Sequence, residues 1–145
     1  MASLETLEIL EVENPNIWKK ITKYCVYQER CSYEVLNKLT TLGVGNKETS
    51  SYLALLKKQG FVEDERFAKA YCRGKFRQKQ WGRLKIKAGL RSKGIADSLI
   101  LAAFSEISEE EYLQVLQTVI QNKGATVALS KGFEKRLIGS RISDF

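Results

Sequence analysis

The sequence predicts an all-α protein built of tandem three-helix repeats in an elongated, curved helical array. Three observations carry that reading. Apolar residues recur at helical spacing from Ile17 to Ile120, and no alternating polar-apolar stretch competes as a strand. Gly43, Gly60, Gly94 and Gly124 each follow such a stretch, at the place where a helix stops. The pattern also echoes itself: Tyr24-Cys25 followed by Ser32, Leu36, Leu39, Gly43 and Val44 is matched by Tyr71-Cys72 followed by Gly82, Ile86, Leu90, Gly94 and Ile95. Units this small bury little apolar surface alone, so neighbours must stack, and stacking yields an extended chain with one long concave face.

Residues 1–15, ending at the only proline, read as a weakly ordered arm. Asn16 is then expected to cap a helix to about Glu29, with Ile17, Ile21, Tyr24 and Cys25 on a narrow inner face. Ser32 opens a second helix, holding Leu36 and Leu39 and ending at Gly43. Asn46 caps a third, with Tyr52, Leu53, Leu55 and Leu56, ending at Gly60. These make a first repeat over 16–63. Asp64, flanked by Glu63 and Glu65, reads as the N-cap of a helix to about Lys79, its carboxylate accepting that helix's own N–H bonds at the positive end of the dipole. A short helix over 82–93 turns Ile86 and Leu90 inward, and Asp97 caps one holding Leu99, Ile100, Ala103 and Phe104. The second repeat is thus 64–107. Ser108 and Glu111 form a capping box ahead of Leu113, Leu116, Val119 and Ile120. Beyond Gly124 the period weakens, so 125–145 reads as one helix and a loose tail, and the third repeat, 108–145, is expected to be incomplete.

Composition limits the function. At 145 residues and 43% hydrophobic content the chain folds rather than staying disordered. No apolar run approaches the roughly 18–20 residues of a membrane span, and the acidic start from Met1 to Leu10 does not resemble a signal peptide, which places the expected location in the cytoplasm. Cys25, Cys31 and Cys72 are odd in number and lack CxxC spacing, so they read as small buried hydrophobes. The chain has no histidine, which removes Ser-His, Cys-His and most zinc hydrolase chemistries. No catalytic residue, cofactor or metal site is expected. Glu63, Asp64 and Glu65 are the one carboxylate cluster beside the basic segment, and they read as a helix start.

That basic segment is the chain's strongest functional signal. From Arg66 to Lys93 there are eleven basic side chains and no carboxylate: Arg66, Lys69, Arg73, Lys75, Arg77, Lys79, Arg83, Lys85, Lys87, Arg91 and Lys93. The whole chain has 24 Lys plus Arg and 17 Asp plus Glu, so outside the segment 13 basic residues face 17 acidic ones. On a helix Arg66, Lys69, Arg73 and Arg77 fall within about 80° of one another. Solvated helix faces mix Glu with Lys, because i, i+4 pairs add a few tenths of a kcal/mol. A stretch that forgoes that support points to an anionic partner surface. Phe67, Tyr71 and Phe76 read as core. Trp81, beside Gly82 at the corner between two basic helices, could stack on a base, reach into a partner or pack at the repeat interface, and packing is favoured. The helix after Gly82 also permits a helix-turn-helix reading, although its lysine-heavy face suits phosphate better than base edges.

Gly60-Phe61, Glu63-Asp64, Arg66-Phe67-Ala68, Tyr71, Arg73, Trp81-Gly82, Lys85-Ile86, Leu90 and Lys93-Gly94-Ile95, in that order and spacing, resemble the RecX family of bacterial regulatory proteins, over about residues 17–123. The resemblance implies three tandem three-helix repeats in a curved cytoplasmic protein without catalytic residues. It also implies a partner, the RecA recombinase filament, whose helical groove such proteins enter, modulating and usually inhibiting its ATPase, strand-exchange and co-protease activities in DNA repair and recombination. Family members bind DNA as well. The twelve candidate contact residues are therefore the eleven cations and Trp81, on a chain expected to be monomeric and to avoid membranes. The rival reading is a stand-alone binder of single- or double-stranded DNA acting through phosphate contacts.

Overall fold

The computed structural model describes residues 15–142. Among these the protein is entirely helical: α1 (Pro15–Tyr27), α2 (Ser32–Thr41), α3 (Asn46–Lys58), α4 (Asp64–Lys79), α5 (Arg83–Ser92), α6 (Asp97–Phe104), α7 (Glu109–Lys123), α8 (Ala125–Ser130) and α9 (Lys135–Ile142). The expected N-terminal arm, apart from Pro15, and the last residues of the expected tail lie outside the described residues. The chain divides into two compact units, Met1–Phe67 and Ala68–Phe145, with the division inside α4.

One local device punctuates the chain. Gly43 has φ +90° and lets the Val44 N–H reach back to the Leu39 carbonyl (3.0 Å) while its own N–H bonds that of Thr40 (3.0 Å). Glycine adopts this left-handed turn without the Cβ penalty, and the pair of bonds satisfies carbonyls that a helix end leaves open. Leu90-Gly94-Ile95 repeats it, with Ile95 N–H to Leu90 O at 3.1 Å, and so does Ala128-Gly132-Phe133, with Phe133 N–H to Ala128 O at 3.2 Å. The residue after the glycine is buried each time, as Val44, Ile95 and Phe133. α2, α5 and α8 therefore end alike, each as the second helix of a trio; α3 ends by the same pair of bonds at Leu56-Gly60-Phe61, with Phe61 half-buried.

The third member overturns the expectation of a single helix and a tail after Gly124. α8 and α9 are both present, giving three helices after Ser108. They are six and eight residues long and carry one buried residue each, Ala128 and Ile138, too few for a helical period to stand out. Phe133, fully buried against the Tyr112 ring at 5.3 Å, holds the segment between them.

Several helices begin earlier than their expected caps imply. Asn46 and Asp97 are the first residues of α3 and α6, with Gly45 and Ala96 at the cap positions. α1 starts at Pro15, so Asn16 lies inside it. Ser108 does cap α7, its hydroxyl accepting from the Glu111 N–H at 3.1 Å. Asp64 is a correction in kind. Its carboxylate bonds the N–H (2.8 Å) and hydroxyl (2.9 Å) of Ser32, so it serves the start of α2 rather than that of its own helix.

In the first unit Ile21, Cys25, Val35, Leu39, Tyr52, Leu56 and Val62 form the core, and Trp18 meets Phe61 edge-on at 6.1 Å. In the second, Phe76 stacks on Tyr112 at 5.8 Å, and Ile86, Leu90, Ile100 and Leu116 are fully buried around them. All three cysteines are free and buried. No helix among the described residues is long and apolar enough to cross a membrane.

Candidate anionic-partner interface

The corner between α4 and α5 is built by backbone against backbone. Gly82 donates its N–H to the Lys131 carbonyl (2.8 Å), and Leu84 donates to that of Gly132 (3.0 Å). A Cβ on Gly82 would lie 2.5 Å from the Gly132 carbonyl and the Phe133 nitrogen, and one on Gly132 would lie 2.5 Å from the Lys85 nitrogen. Only glycine permits this approach at either position. The contact brings the loop between α8 and α9 to the basic segment, and Lys131 with it.

The arginines of that segment do not face an empty side. Arg66 pairs with Glu29 (2.7 Å) and Glu63 (3.3 Å), and also donates to the Gly60 carbonyl at 2.9 Å. Arg73 pairs with Glu106 (3.3 Å), Arg77 with Glu111 (3.4 Å) and Arg91 with Asp97 (2.9 Å). Hydrogen bonds from Arg91 hold the Asp97 carboxyl below its usual pKa, with Lys87 adding a smaller pull in the same direction. Arg83 is the most enclosed. It bonds Glu134 (2.9 Å) and Glu109, and its guanidinium lies 3.7 Å from the centre of the Tyr112 ring. Desolvation works against its charge, yet the bonds to Glu109 and Glu134 outweigh that and hold its pKa above the ordinary value. The Tyr112 hydroxyl accepts from the Arg83 N–H (3.0 Å) and donates to Glu134, and burial together with that second bond raises its pKa. The expectation of cations without counterions is therefore corrected for the arginines. Their acids come from outside the segment: Asp97, Glu109 and Glu111 from other helices, and Glu29, Glu63, Glu106 and Glu134 from the turns between helices.

The lysines differ. Among the described residues no carboxylate lies within ion-pair distance of Lys75, Lys79, Lys85 or Lys131. Lys75 and Lys85 set their ammonium groups 4.9 and 4.6 Å from the centre of the Trp81 ring, which meets Tyr71 edge-on at 6.5 Å. Trp81 is half-buried, so the packing reading describes one edge of it while its faces carry lysines. The Lys131 ammonium donates to the Lys79 carbonyl at 2.8 Å, closing the end of α4. Burial, followed by repulsion from Lys123, Lys85 and Lys79, holds its pKa below the usual lysine value. Lys69, Lys87 and Lys93 are half-buried elsewhere on α4 and around α5.

Of the twelve sequence candidates, then, Lys75, Lys79, Lys85 and Trp81 come together, while the five arginines are held by acids of the chain itself. Lys131 joins the cluster from outside the segment, and the charge of Lys123 acts on it. Lys131 carries no charge signal in the sequence, because what brings it in is the Gly82–Gly132 approach.

The family model for the second three-helix domain of RecX matches residues 64–103, the span of α4 to α6. The regulatory protein RecX of Clostridium tetani is 32% identical over 117 residues, covering 69% of this chain and 53% of that protein; its counterpart in Lactobacillus johnsonii is 28% identical over 104 residues, covering 72% and 38%. The chain belongs to the RecX family. The fold agrees with that of two RecX crystal structures: one from Lactobacillus salivarius, at a TM-score of 0.78 and 23% identity over 90% of this chain and 94% of that one, and a second at 0.79 and 18% over 99% and 80%. The chain spans about half or less of the length of the two RecX relatives named above.

Proposed function

We propose that this chain binds the RecA recombinase filament and modulates it, in the inhibitory sense usual for RecX proteins, with the α4–α5 corner as the contact for an anionic surface of the filament. The carrying observation is the set of lysines around Trp81 that have no carboxylate partner among the described residues, on a chain of this regulatory family. Like charges held together on a folded surface repel, and an acidic protein face or a phosphate chain offsets that repulsion. A regulator that touches neighbouring subunits favours one relative orientation of them. If that orientation differs from the one used in turnover, hydrolysis and strand exchange slow without an active site being touched.

The test is single-stranded-DNA-dependent ATP hydrolysis by RecA with substoichiometric wild-type protein and with the Lys75→Glu, Lys79→Glu, Lys85→Glu triple variant. Inhibition lost in the folded variant is the expected result, and full inhibition by it refutes the placement. Reversing Arg73 or Arg77 is less informative, because each has an internal partner and its loss mixes folding with binding. The lysine-rich face also suits a phosphate backbone, which keeps the stand-alone DNA binder as second reading. Log-log salt slopes near −0.9 per phosphate on duplex, together with association with RecA that vanishes after nuclease treatment, would favour it.

A further inference from the structure

A second basic surface lies in the first unit, and the stretch of chain just ahead of it carries the opposite charge. Along α1, Lys20, Lys23, Tyr24 and Tyr27 fall within about 100° of one another, on a stripe beside the one that buries Ile21 and Cys25. Arg30 follows in the turn to α2, and Lys38 and Leu42 come in from α2 and its end. Together they line a cleft of about 310 Å³ with no acidic residue in its wall. The Arg30 guanidinium lies 3.7 Å from the centre of the Tyr24 ring and is fixed there by a bond from its Nε to the Tyr24 carbonyl at 3.0 Å. The Lys38 ammonium is 5.4 Å from the same ring.

These cations are held in place but not neutralised. Among the described residues no carboxylate lies within ion-pair distance of Lys20, Lys23, Arg30 or Lys38. Glu29 is bonded to Arg66 at 2.7 Å, and Glu34 turns back to the Cys31 N–H at 3.2 Å. Beside the cationic floor the Tyr27 ring is 82% exposed. The fourteen residues ahead of Pro15 have the complementary composition: Glu5, Glu8, Glu11 and Glu13, no lysine or arginine, and Leu7, Ile9, Leu10 and Val12 interleaved with the carboxylates. They join the fold at the helix that lines the cleft, and the lengths match. Measured along α1 from Pro15, Lys20 lies about 7.5 Å away, Lys23 about 12 Å and Tyr27 about 18 Å, at a rise of about 1.5 Å per residue. An extended chain turning back from Pro15 covers about 3.3 Å per residue, which brings Glu13 to about 7 Å, Glu11 to about 13 Å and Glu8 to about 23 Å.

We infer that this cleft is the docking site of the chain's own acidic N-terminal segment, residues 1–14, with Glu13, Glu11 and Glu8 beside Lys20, Lys23 and Arg30. A tethered segment meets its site at an effective concentration of about millimolar, so contacts too weak to hold a free peptide suffice. Exposed ion pairs add little singly. The interleaved apolar side chains supply the rest by covering the Tyr27 ring and Leu42, which charge alone would leave in water. The guanidinium of Arg30, anchored at Nε, keeps terminal N–H donors that match a carboxylate as a planar fork. The consequence is a basic surface that carries its own competitor: any other anion reaches these cations only by displacing the segment.

The test uses the whole chain and neither RecA nor DNA, so this contact and the filament reading stand or fall separately. Cys25, Cys31 and Cys72 are buried, so a thiol-directed nitroxide goes to Thr6→Cys, and amide NMR spectra of the isotopically enriched protein read its position. At low salt the paramagnetic broadening is expected to be greatest at Tyr27, Arg30 and Lys38 and weaker at Ile17 and Trp18. That pattern should be lost in the Glu5→Gln, Glu8→Gln, Glu11→Gln, Glu13→Gln variant and in the Lys20→Gln, Lys23→Gln, Lys38→Gln variant. It should also fade as salt rises from about 0.01 M to about 1 M and the screening length falls from about 30 Å to about 3 Å. None of the substituted residues belongs to the core of the first unit, so circular dichroism is expected to stay unchanged. If the lysine variant unfolds, the glutamate variant alone decides. Broadening that decays from Ile17 towards Tyr27, the profile of an undocked tether, overturns the inference, as does a pattern unchanged by the four Glu→Gln substitutions or by salt. Broadening of an enriched, unlabelled chain by a spin-labelled, unenriched copy gives the cleft to the segment of a second molecule and overturns it as well.

Discussion

Replacing Tyr112 by phenylalanine removes a single oxygen from the interior of the second unit while leaving the ring stacked between Phe76 and Phe133. Tyr112 is fully buried, so water does not replace the missing hydroxyl. Two partners lose it. The Arg83 N–H, in the first turn of α5, is left without its acceptor at 3.0 Å, and an orphaned buried N–H costs about 1–3 kcal/mol. Glu134 loses one donor but keeps the Arg83 guanidinium at 2.9 Å, which limits that loss to about 1 kcal/mol. The expected destabilisation is therefore about 2–4 kcal/mol, or a fall of about 1–2 M in urea midpoint for a slope near 2 kcal/mol/M. The assay is urea unfolding in a Trp18→Phe background. Trp18 belongs to the first unit and Trp81 to the second, so the remaining emission reports the unit that was changed. Glu134→Gln alone and combined with Tyr112→Phe should be strongly non-additive, since the two groups share a network. A midpoint shift below about 0.3 M would refute the claim that this hydroxyl joins α5 to α7 and the start of α9.

Gly82→Ala should lower stability by at least about 2 kcal/mol, because the new Cβ separates two backbones and breaks the bonds from Gly82 and Leu84 to Lys131 and Gly132; a red-shifted Trp81 emission and a lower melting temperature would show it. Asp64→Ala should cost about 1.5–3 kcal/mol, read from Trp18 emission during unfolding, since a charged acceptor leaves Ser32 at the start of α2. Burial first pushes the Cys25 and Cys72 thiols up to about 11, from the usual 9.0. Folding thus favours the protonated thiol, so that contribution is complete below pH 9 and fades as pH rises through 11, and the urea midpoint should fall across that window, less so in the Cys25→Ala, Cys72→Ala variant. Near neutral pH Ellman's reagent should react slowly with the folded chain and fully once it is unfolded.

The family resemblance is legible because its residues are those that local geometry demands. Gly94-Ile95 closes α5, Ile86 and Leu90 line its inner face, and Trp81-Gly82 marks the corner. The same device at Ala128-Gly132-Phe133 is also present in the sequence, as a further copy of the spacing at Leu39-Gly43-Val44, Leu56-Gly60-Phe61 and Leu90-Gly94-Ile95. It escapes a reading by helical period because the helices around it are one or two turns long and Ala128 replaces the leucine of the other copies. A cleft in the first unit, lined by Lys20, Lys23, Tyr24, Tyr27, Arg30 and Lys38, is hidden differently. Its cations are spread over α1, the following turn and α2, so no window of the sequence shows a run of charge.

Helices, their stops and the total charge follow from residues within about five positions of one another, which is why the sequence alone determined the all-α repeat and the excess of cations between Arg66 and Lys93. Which of those cations stay available is a long-range matter. Arg77 meets an acid 34 residues away and Arg83 acids 26 and 51 residues away, while Lys131 reaches the carbonyl of Lys79 from a distance of 52. Coulomb energy depends on separation in space, and only folding sets that separation, by pressing Gly82 against Gly132 and laying α4 beside Glu106 and the acids of α7.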